Sequence, residues 1–453
     1  MRVSIIGAGY VGLVTGACMA DKGHKVICVD IDQEKVNKIN RAIPPIYERG
    51  LEELLEKNVN VNLSATGNLW EAVMETEISL IAVGTPFNGS EIDLTYVKEV
   101  SRQIGNILRT KADYHLVVVK STVVPGTTDE VVLPIIKDTS GKRAGADFGV
   151  GMNPEFLREG EAVQDFMFPD RIVLGSLDKR SLEGLEKLYA PFGDVDIIRT
   201  SNKTAEMIKY VSNALLATMI SFSNEIGNLC TAVSNVDVVE VMKGVHLDKR
   251  LSPILSTGER IMPKFTTYIE AGCGFGGSCF PKDVRALIAY GKSFARPMQL
   301  LEAVMKVNEQ QPQEVLSMLK EEFPSLKGIR IAILGLAFKP GTDDMRESPA
   351  IPIITDLLTQ GSEIKAYDPI AMHEAKKIFR DHEISFCDDL YHAISDVEAI
   401  ILLTAWEGFR SIPEYLATLN PQPLFIDGRR MIDKGCLARY KGIGWSSRLQ
   451  NDF

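Results

Sequence analysis

Histidine is scarce. Six occur in 453 residues, at His24, His115, His246, His373, His382 and His392, and they are nearly absent from the motifs below. An enzyme built on a histidine base is therefore disfavoured. Cysteine is present without a pattern: Cys18, Cys28, Cys230, Cys273, Cys279, Cys387 and Cys436 make an odd, scattered seven. That is no disulfide framework, and the lack of any paired C-x-x-C argues against zinc, so no metal is expected. The sequence has no apolar run long enough to span a bilayer and opens directly on a short strand, without a signal peptide. A cytoplasmic protein with no membrane partner is expected. Positive charge is not in excess either: 50 Lys and Arg against 60 Asp and Glu give −10, which argues against a nucleic-acid partner but permits local basic pockets. What remains is an ordinary composition, 45% hydrophobic and 24% charged, enough to build the cores of two or three domains.

The N-terminus supplies the first motif. Arg2–Ile6 reads as a buried strand, Gly7-Ala8-Gly9-Tyr10-Val11-Gly12 follows at once, Leu13–Asp21 reads as a helix and Lys25–Asp30 as a second strand. This is the G-x-G-x-x-G fingerprint in its strand–turn–helix setting, where glycines admit a pyrophosphate to a helix N-terminus. Asp30 ends the second strand, where a carboxylate meets ribose hydroxyls and repels a 2′-phosphate, so the expected cofactor is NAD rather than NADP. Lys35, one turn into the next helix, is either a ribose contact or a surface lysine. Further strands, Ile78–Val83 and His115–Lys120, end in Gly84-Thr85-Pro86 and Ser121-Thr122-Val123. Their small polar residues sit at the sheet edge where doubly wound folds bind ligands. Strands at 147–152 and 171–175 extend the sheet, giving a first domain over residues 1–200.

Residues 201–310 are read as a central, helical region. Asn153 to Gly160, just before it, carries Glu155 and Glu159 four apart, on one face if the turn is helical; the alternative is a solvated acidic face. Ser201–Val233 is nearly free of glycine and proline and reads as one long helix. On it Lys209 and Asn213 are four apart, an ammonium and an amide that could hold an oxyanion, though lysine on a helix is more often plain surface. Gly272-Cys273-Gly274-Phe275-Gly276-Gly277-Ser278-Cys279-Phe280-Pro281-Lys282-Asp283 closes the region. Cys279 stands where this glycine-rich loop meets a helix N-terminus, which favours the nucleophilic thiolate. The competing reading is a buried structural cysteine in a connector.

From residue 311 to 453 a second parallel α/β pattern begins with Arg330–Gly335 and continues through Glu363–Tyr367, Ile400–Thr404 and Leu424–Asp427. Gly335-Leu336-Ala337-Phe338-Lys339-Pro340 lacks the second and third fingerprint glycines. Lys339, Arg346 and Arg429 lie at or past strand ends, where anions are expected. The fold class is α/β: two Rossmann-like doubly wound parallel-sheet domains joined by a long central helix.

Taken together, GAGYVG, the VGTP of Val83–Pro86, the STV of Ser121–Val123, NPEFLREG of Asn153–Gly160, AEMIK of Ala205–Lys209, GFGGSCFPKD of Gly274–Asp283, Phe338–Ser348 and Asp427–Arg429 resemble the UDP-glucose/GDP-mannose 6-dehydrogenase family. They run in family order along essentially the whole chain. The resemblance implies oxidation of a nucleotide sugar's primary alcohol to a carboxylate with two NAD. It is closest on the UDP-glucose side, with GDP-mannose or another nucleotide sugar as the alternative, in a homodimer. It implies that Cys279 forms a thiohemiacetal and then a thioester, that Lys209 and Asn213 stabilise oxyanions, that Asp283 and Thr122 hold a water, and that Glu155 assists acid–base steps. Tyr10, Val11, Thr85, Pro86, Ser121, Glu159 and Arg346 fall on its cofactor side. Glu155, Phe156, Leu157, Glu159, Phe265, Gly274, Phe275, Gly276, Phe338, Lys339 and Arg429 fall on its nucleotide-sugar side. An arginine reaching substrate across the dimer is implied too, with Arg250 and Arg260 both candidates and Arg260 preferred. A reading from another class is a non-catalytic nucleotide-sensing scaffold; the intact Cys279, Lys209 and Asp283 count against it.

Overall fold

The structure, a computed structural model, describes residues 1–446 of the 453. Its contacts divide the chain into two units, one of Met1–Ser212 with Ala289–Phe294, the other of Asn213–Ile288 with the chain from Ala295 onward. The division falls inside the long helix Asn202–Val233, which spans 32 residues without a break.

The first unit holds eight strands: β1 (Arg2–Ile6), β2 (Lys25–Val29), β3 (Leu63–Thr66), β4 (Ile78–Ile81), β5 (His115–Val119), β6 (Phe148–Met152), β7 (Ile172–Ser176) and β8 (Ile197–Thr200). Their order in the sheet is β3-β2-β1-β4-β5-β6-β7-β8, parallel throughout except where β6 meets β7. The chain winds outward from β1 in one direction and, from β4, in the other. A crevice therefore opens at the C-terminal ends of β1 and β4. The two-residue period of each strand sends alternate side chains to opposite faces. Val3 and Ile5 of β1 and Leu116 and Val118 of β5 enter one core, while Ile6, Val117 and Val119 enter the other. His115 is buried between the layers, hydrogen-bonded through Nε2 to Ser79 Oγ at 2.7 Å, and burial pushes its imidazole down to about 3. It is a neutral packing group.

The second unit carries β9 (Arg330–Leu334), β10 (Glu363–Tyr367), β11 (Ile384–Phe386), β12 (Ala399–Leu402), β13 (Leu424–Asp427) and β14 (Tyr440–Gly442), in the order β11-β10-β9-β12-β13-β14 and all parallel. Again alternate residues part company: Ile331 and Ile333 face one core, Ala332 and Leu334 the other. The first of these cores also takes in Cys230, Val238, Met242, Ile269 and Cys273, so the helices after residue 213 pack with this sheet. The β9 turn repeats that of β1. Gly335 N–H donates to Tyr367 O at 2.9 Å as Gly7 N–H does to Val29 O at 2.8 Å, and Asp368 follows β10 as Asp30 follows β2. Among the described residues no helix is long and apolar enough to cross a membrane, and no group of three His, Cys, Asp or Glu could hold a metal.

Candidate active site

In the first unit the fingerprint turn is shaped for a dinucleotide. A Cβ on Gly12 would lie 1.8 Å from Gly7 O, so helix and turn close to a distance only glycine allows. A Cβ on Gly9 would meet nothing within 4 Å, leaving that face of the turn clear. Asp30 braces the turn, its Oδ2 accepting from Ala8 N–H and its Oδ1 from Asp32 N–H, both at 2.9 Å. With one bond to each oxygen, the carboxylate keeps acceptor capacity for ribose hydroxyls. Asp368 in the second unit does not. Leu336, Ala337, Ile370 and Ala371 N–H and the Trp406 indole N–H all donate to it, so the repeated turn is locked by its own acid. These residues fit NAD on the first turn and not on the second.

Around the first turn the expected residues gather. Thr85 Oγ1 donates to Thr122 O at 2.7 Å and Ser121 Oγ to Val83 O at 2.7 Å, tying the ends of β4 and β5 together beside exposed Pro86. The Tyr10 hydroxyl is bound to Glu48, a buried acid that also accepts Gly160 N–H at 2.7 Å and Ala162 N–H at 2.9 Å. Burial and Glu48 push the Tyr10 phenol well above its usual range. Val11 lies beside it in the first helical turn, and Lys35 is half-buried on the helix Gln33–Asn40. Glu48 was not among the sequence candidates; its signal is an acid in an otherwise apolar Ile-Tyr-Glu stretch.

Glu155 and Glu159 do not share a helix face, because residues 153–158 carry no helix. Pro154 disfavours a helical residue before it, and Glu155 Oε2 takes Leu157 N–H at 2.7 Å, a local bond that replaces the helical one. Nor is the segment a solvated acidic face. Glu155 Oε1 lies 2.8 Å from Lys209 Nζ, with side chains 7% and 4% exposed. Burial pushes the Glu155 carboxyl up, but the Lys209 ammonium and its hydrogen bond, Leu157 N–H and Lys120 together hold it below the usual carboxylate range. Phe156 lies between two cations, 5.5 Å from Lys209 Nζ and 3.9 Å from the Arg171 guanidinium carbon, measured to its ring centre. Leu157 packs at the edge of the first core, and Glu159 ends the turn before buried Gly160.

In the second unit Cys279 precedes the helix Phe280–Ser293, and its carbonyl accepts Asp283 N–H at 2.8 Å, the first bond of that helix. Its thiol is half-buried, whereas Cys18, Cys28, Cys230, Cys273 and Cys387 are buried and Cys436 is exposed. Asp283 is 1% exposed, accepts Asn213 Nδ2 at 2.6 Å and pairs with Lys282. The loop before Cys279 is pinned at every turn. Gly274 follows Cys273, whose N–H donates to Gly428 O at 2.8 Å; Asn308 Oδ1 takes Phe275 N–H at 2.7 Å; Gly277 N–H donates to Arg346 O at 2.8 Å. A Cβ on Gly276 would fall 2.3 Å from Glu347 O, so the loop can lie there only without a side chain. Phe275 and Phe280 meet edge-on at 5.9 Å.

The expected anion contacts divide. Arg429 donates to Leu403 O at 2.7 Å, Gly274 O at 3.1 Å and Phe338 O at 3.4 Å, so it straps the loop to the sheet edge while keeping N–H groups for a ligand. Lys339 follows Phe338 past β9, its Nζ 5.8 Å from the Phe338 ring centre. Arg346 forms a fork with Asp344 at 2.9 and 2.8 Å. Arg260 Nη1 holds Leu247 O and Ser252 O at 2.7 and 2.8 Å, and Arg250 is exposed in a fork with Asp248. Phe265 packs against the core of this unit.

Family models of the UDP-glucose/GDP-mannose dehydrogenase family match residues 1–193 (NAD binding domain), 203–310 (central domain) and 332–434 (UDP binding domain). The chain is 41% identical to the UDP-glucose 6-dehydrogenase AglM of Haloferax volcanii, over 99% of this chain and 100% of that one. It is also 41% identical to a GDP-mannose 6-dehydrogenase of Pseudomonas syringae pv. syringae, over 98% and 100%. Among solved structures, a UDP-glucose dehydrogenase from Pyrobaculum islandicum superposes with a TM-score of 0.87 at 38% identity, covering 98% of both chains. NAD is the cofactor that the fingerprint turn and its family model specify. With all three of its domains matched in order, the chain belongs to the UDP-glucose/GDP-mannose dehydrogenase family.

Proposed function

We propose that the chain oxidises UDP-glucose to UDP-glucuronate, removing four electrons per sugar through a covalent intermediate on Cys279. The observation that carries the reading is the single half-buried thiol, placed at a helix start one turn from the Asp283–Asn213 pair. Gly7, Gly9, Gly12 and Asp30 hold NAD, with Tyr10, Val11, Lys35, Thr85, Pro86, Ser121, Thr122, Glu159 and Arg346 on the cofactor side. Bound NAD supplies a hydride acceptor, and two equivalents are consumed per sugar. The Lys209 ammonium stabilises the alkoxide of the first oxidation, and Asn213 donates to the oxyanion. The Cys279 thiolate bonds to the aldehyde carbon, and the oxygen takes a proton, giving a thiohemiacetal that again carries a removable hydrogen. Loss of hydride and proton leaves a thioester. Water held by Asp283 and Thr122 adds to the thioester carbon as Glu155 takes one of its protons; the C–S bond then breaks, returning the thiolate and a carboxylic acid that gives its remaining proton to solvent.

Residues 1–200 are read as the NAD domain, 201–310 as the central region and 311–453 as the nucleotide-sugar domain. Phe156, Leu157, Phe265, Gly274, Phe275, Gly276, Phe338, Lys339 and Arg429 are assigned to the sugar nucleotide, with Arg260 or Arg250 from a second copy. The UDP reading is supported by the UDP binding domain model and by the UDP-glucose dehydrogenase likeness; the GDP-mannose relative of equal identity keeps that substrate as the alternative. The test is NADH absorbance with a panel of nucleotide sugars. UDP-glucose is expected to give the highest kcat/KM, and faster turnover of GDP-mannose would replace it.

A homodimer is proposed from the long helix. Val211, Leu215, Phe222, Leu229 and Val233 recur on one of its faces and are 49–60% exposed, a stripe of large apolar side chains that water disfavours. The protein is expected to sediment as a dimer at micromolar concentration and the double variant Leu215→Glu, Leu229→Glu as a monomer. A monomeric wild type would exclude the assignment.

A further inference from the structure

Lys120 follows β5 directly and takes no part in the chemistry above, yet it is 2% exposed. Its Nζ donates to Asn153 Oδ1 at 2.9 Å. Asn153 is fixed in turn, donating through Nδ2 to Val173 O at 3.0 Å and accepting the Tyr189 hydroxyl on the same Oδ1. The Phe166 ring centre lies 5.7 Å from the ammonium. A methionine would fill this volume without the cost of burying a charge. What the lysine adds is its hydrogen bond to Asn153 and its charge, which acts on Glu155 and Lys209. Burial pushes Lys120 down to about 8, with Glu155 opposing the fall and Lys209 adding to it. Glu155 is thus paired directly with Lys209, while Lys120 is held by Asn153, two residues before Glu155, with the Tyr189 phenol, raised by burial, on the same amide oxygen.

We propose that Lys120 is a positioning residue of the reaction: tethered by Asn153, its ammonium is the second cation acting on Glu155 and keeps that carboxylate ionised and turned to Lys209. The inference rests on the reading that Glu155 serves the acid–base steps. Asn153 opens the same segment that carries Glu155, so a single tether sets both the position of the cation and the start of the loop it acts on. The sign follows directly. A carboxylate that loses a neighbouring cation holds its proton to higher pH, so a step needing ionised Glu155 fails earlier on acidification.

The experiment is the pH dependence of kcat, by NADH absorbance with the nucleotide sugar turned over fastest, for wild type, Lys120→Gln, Lys120→Met and Glu155→Gln. Glutamine keeps a donor for Asn153 and removes the charge. Its acid limb is expected about one pH unit above that of wild type, which is about tenfold lower kcat on the limb, with the neutral plateau and the sugar-nucleotide KM little changed. A purely structural role would lower the plateau or the melting temperature and leave the limb in place. Folded Lys120→Gln with the wild-type limb overturns the proposal, and Lys120→Met carries the same expectation should the glutamine variant not fold. If Glu155→Gln loses the limb while Lys120→Gln leaves it unmoved, the inference alone fails. If Glu155→Gln keeps the wild-type limb, the role of Glu155 fails and the inference with it.

Discussion

Cys279→Ser is expected to end four-electron oxidation. Wild type should release two NADH per sugar consumed, and the variant's rate of carboxylate formation should fall by about three orders of magnitude or more. Serine without an adjacent base is a weak nucleophile at neutral pH, and its ester is a poorer acyl donor to water than a thioester. The half-buried position makes the thiol reachable, and the helix start favours its anion. Cys273→Ser is the control. Cys273 is fully buried, its thiol directed at Leu403 O, and burial pushes its pKa up, so it has neither access nor activation. Substitution there is expected to cost about 1 kcal/mol of stability with the stoichiometry intact. Measuring NADH per sugar, with mass spectrometry of enzyme quenched during turnover, decides the matter. Full stoichiometry from Cys279→Ser, or its loss from Cys273→Ser alone, would move the nucleophile elsewhere.

Lys209→Met should cost both activity and stability. With the oxyanion role proposed for Lys209, its loss is expected to lower kcat by about 10²- to 10³-fold. Breaking a buried ion pair from one side leaves Glu155 without its direct partner and with Lys120 as its remaining countercharge, at about 3–5 kcal/mol. The pH dependence has a definite sign. In wild type the folded pKa of Glu155 lies below its unfolded value, so the pair's stabilisation is present above the unfolded carboxyl pKa and is lost as pH falls through the folded one. In Lys209→Met burial dominates and favours the neutral acid. The stability gap between the two proteins is therefore widest at neutral pH and narrows towards about pH 4. Urea unfolding at neutral and acid pH checks this; a wild-type midpoint for the variant at pH 7 would show that the pair contributes nothing.

The sequence by itself determined the architecture of both sheets' centres and the nature of the chemistry. The β1, β4, β5 and β9 segments are short apolar runs followed by turn residues, and each is a strand buried on both faces. The four strands that sequence reading passes over are β3, β8, β11 and β14, and these are the outer edges of the two sheets. Their residues, such as Ile197-Ile198-Arg199-Thr200 and Tyr440-Lys441-Gly442, are half-exposed and mixed in character because an edge strand has a neighbour on one side only. Local hydrophobicity cannot mark them; pairing to an adjacent strand does. The fingerprint turn with Asp30, and the glycine run up to Cys279, were legible because close backbone approach restricts those positions to glycine whatever surrounds them.

Tertiary structure alone decided which charges meet. Glu155 is 54 residues from Lys209 in sequence and is seated on it in space. The spacing to Glu159 suggested a helical face instead, because periodicity is a local signal and Pro154 with the Leu157 bond overrides it. Glu48 bound to Tyr10 and Gly160, Asn153 bound to Lys120 and Tyr189, and Asp368 closed off by five donors are all contacts of the same kind. A lysine ending an apolar strand reads as its polar terminus. Only the fold, by removing water from around Lys120, turns that terminus into a buried charge tethered to Asn153.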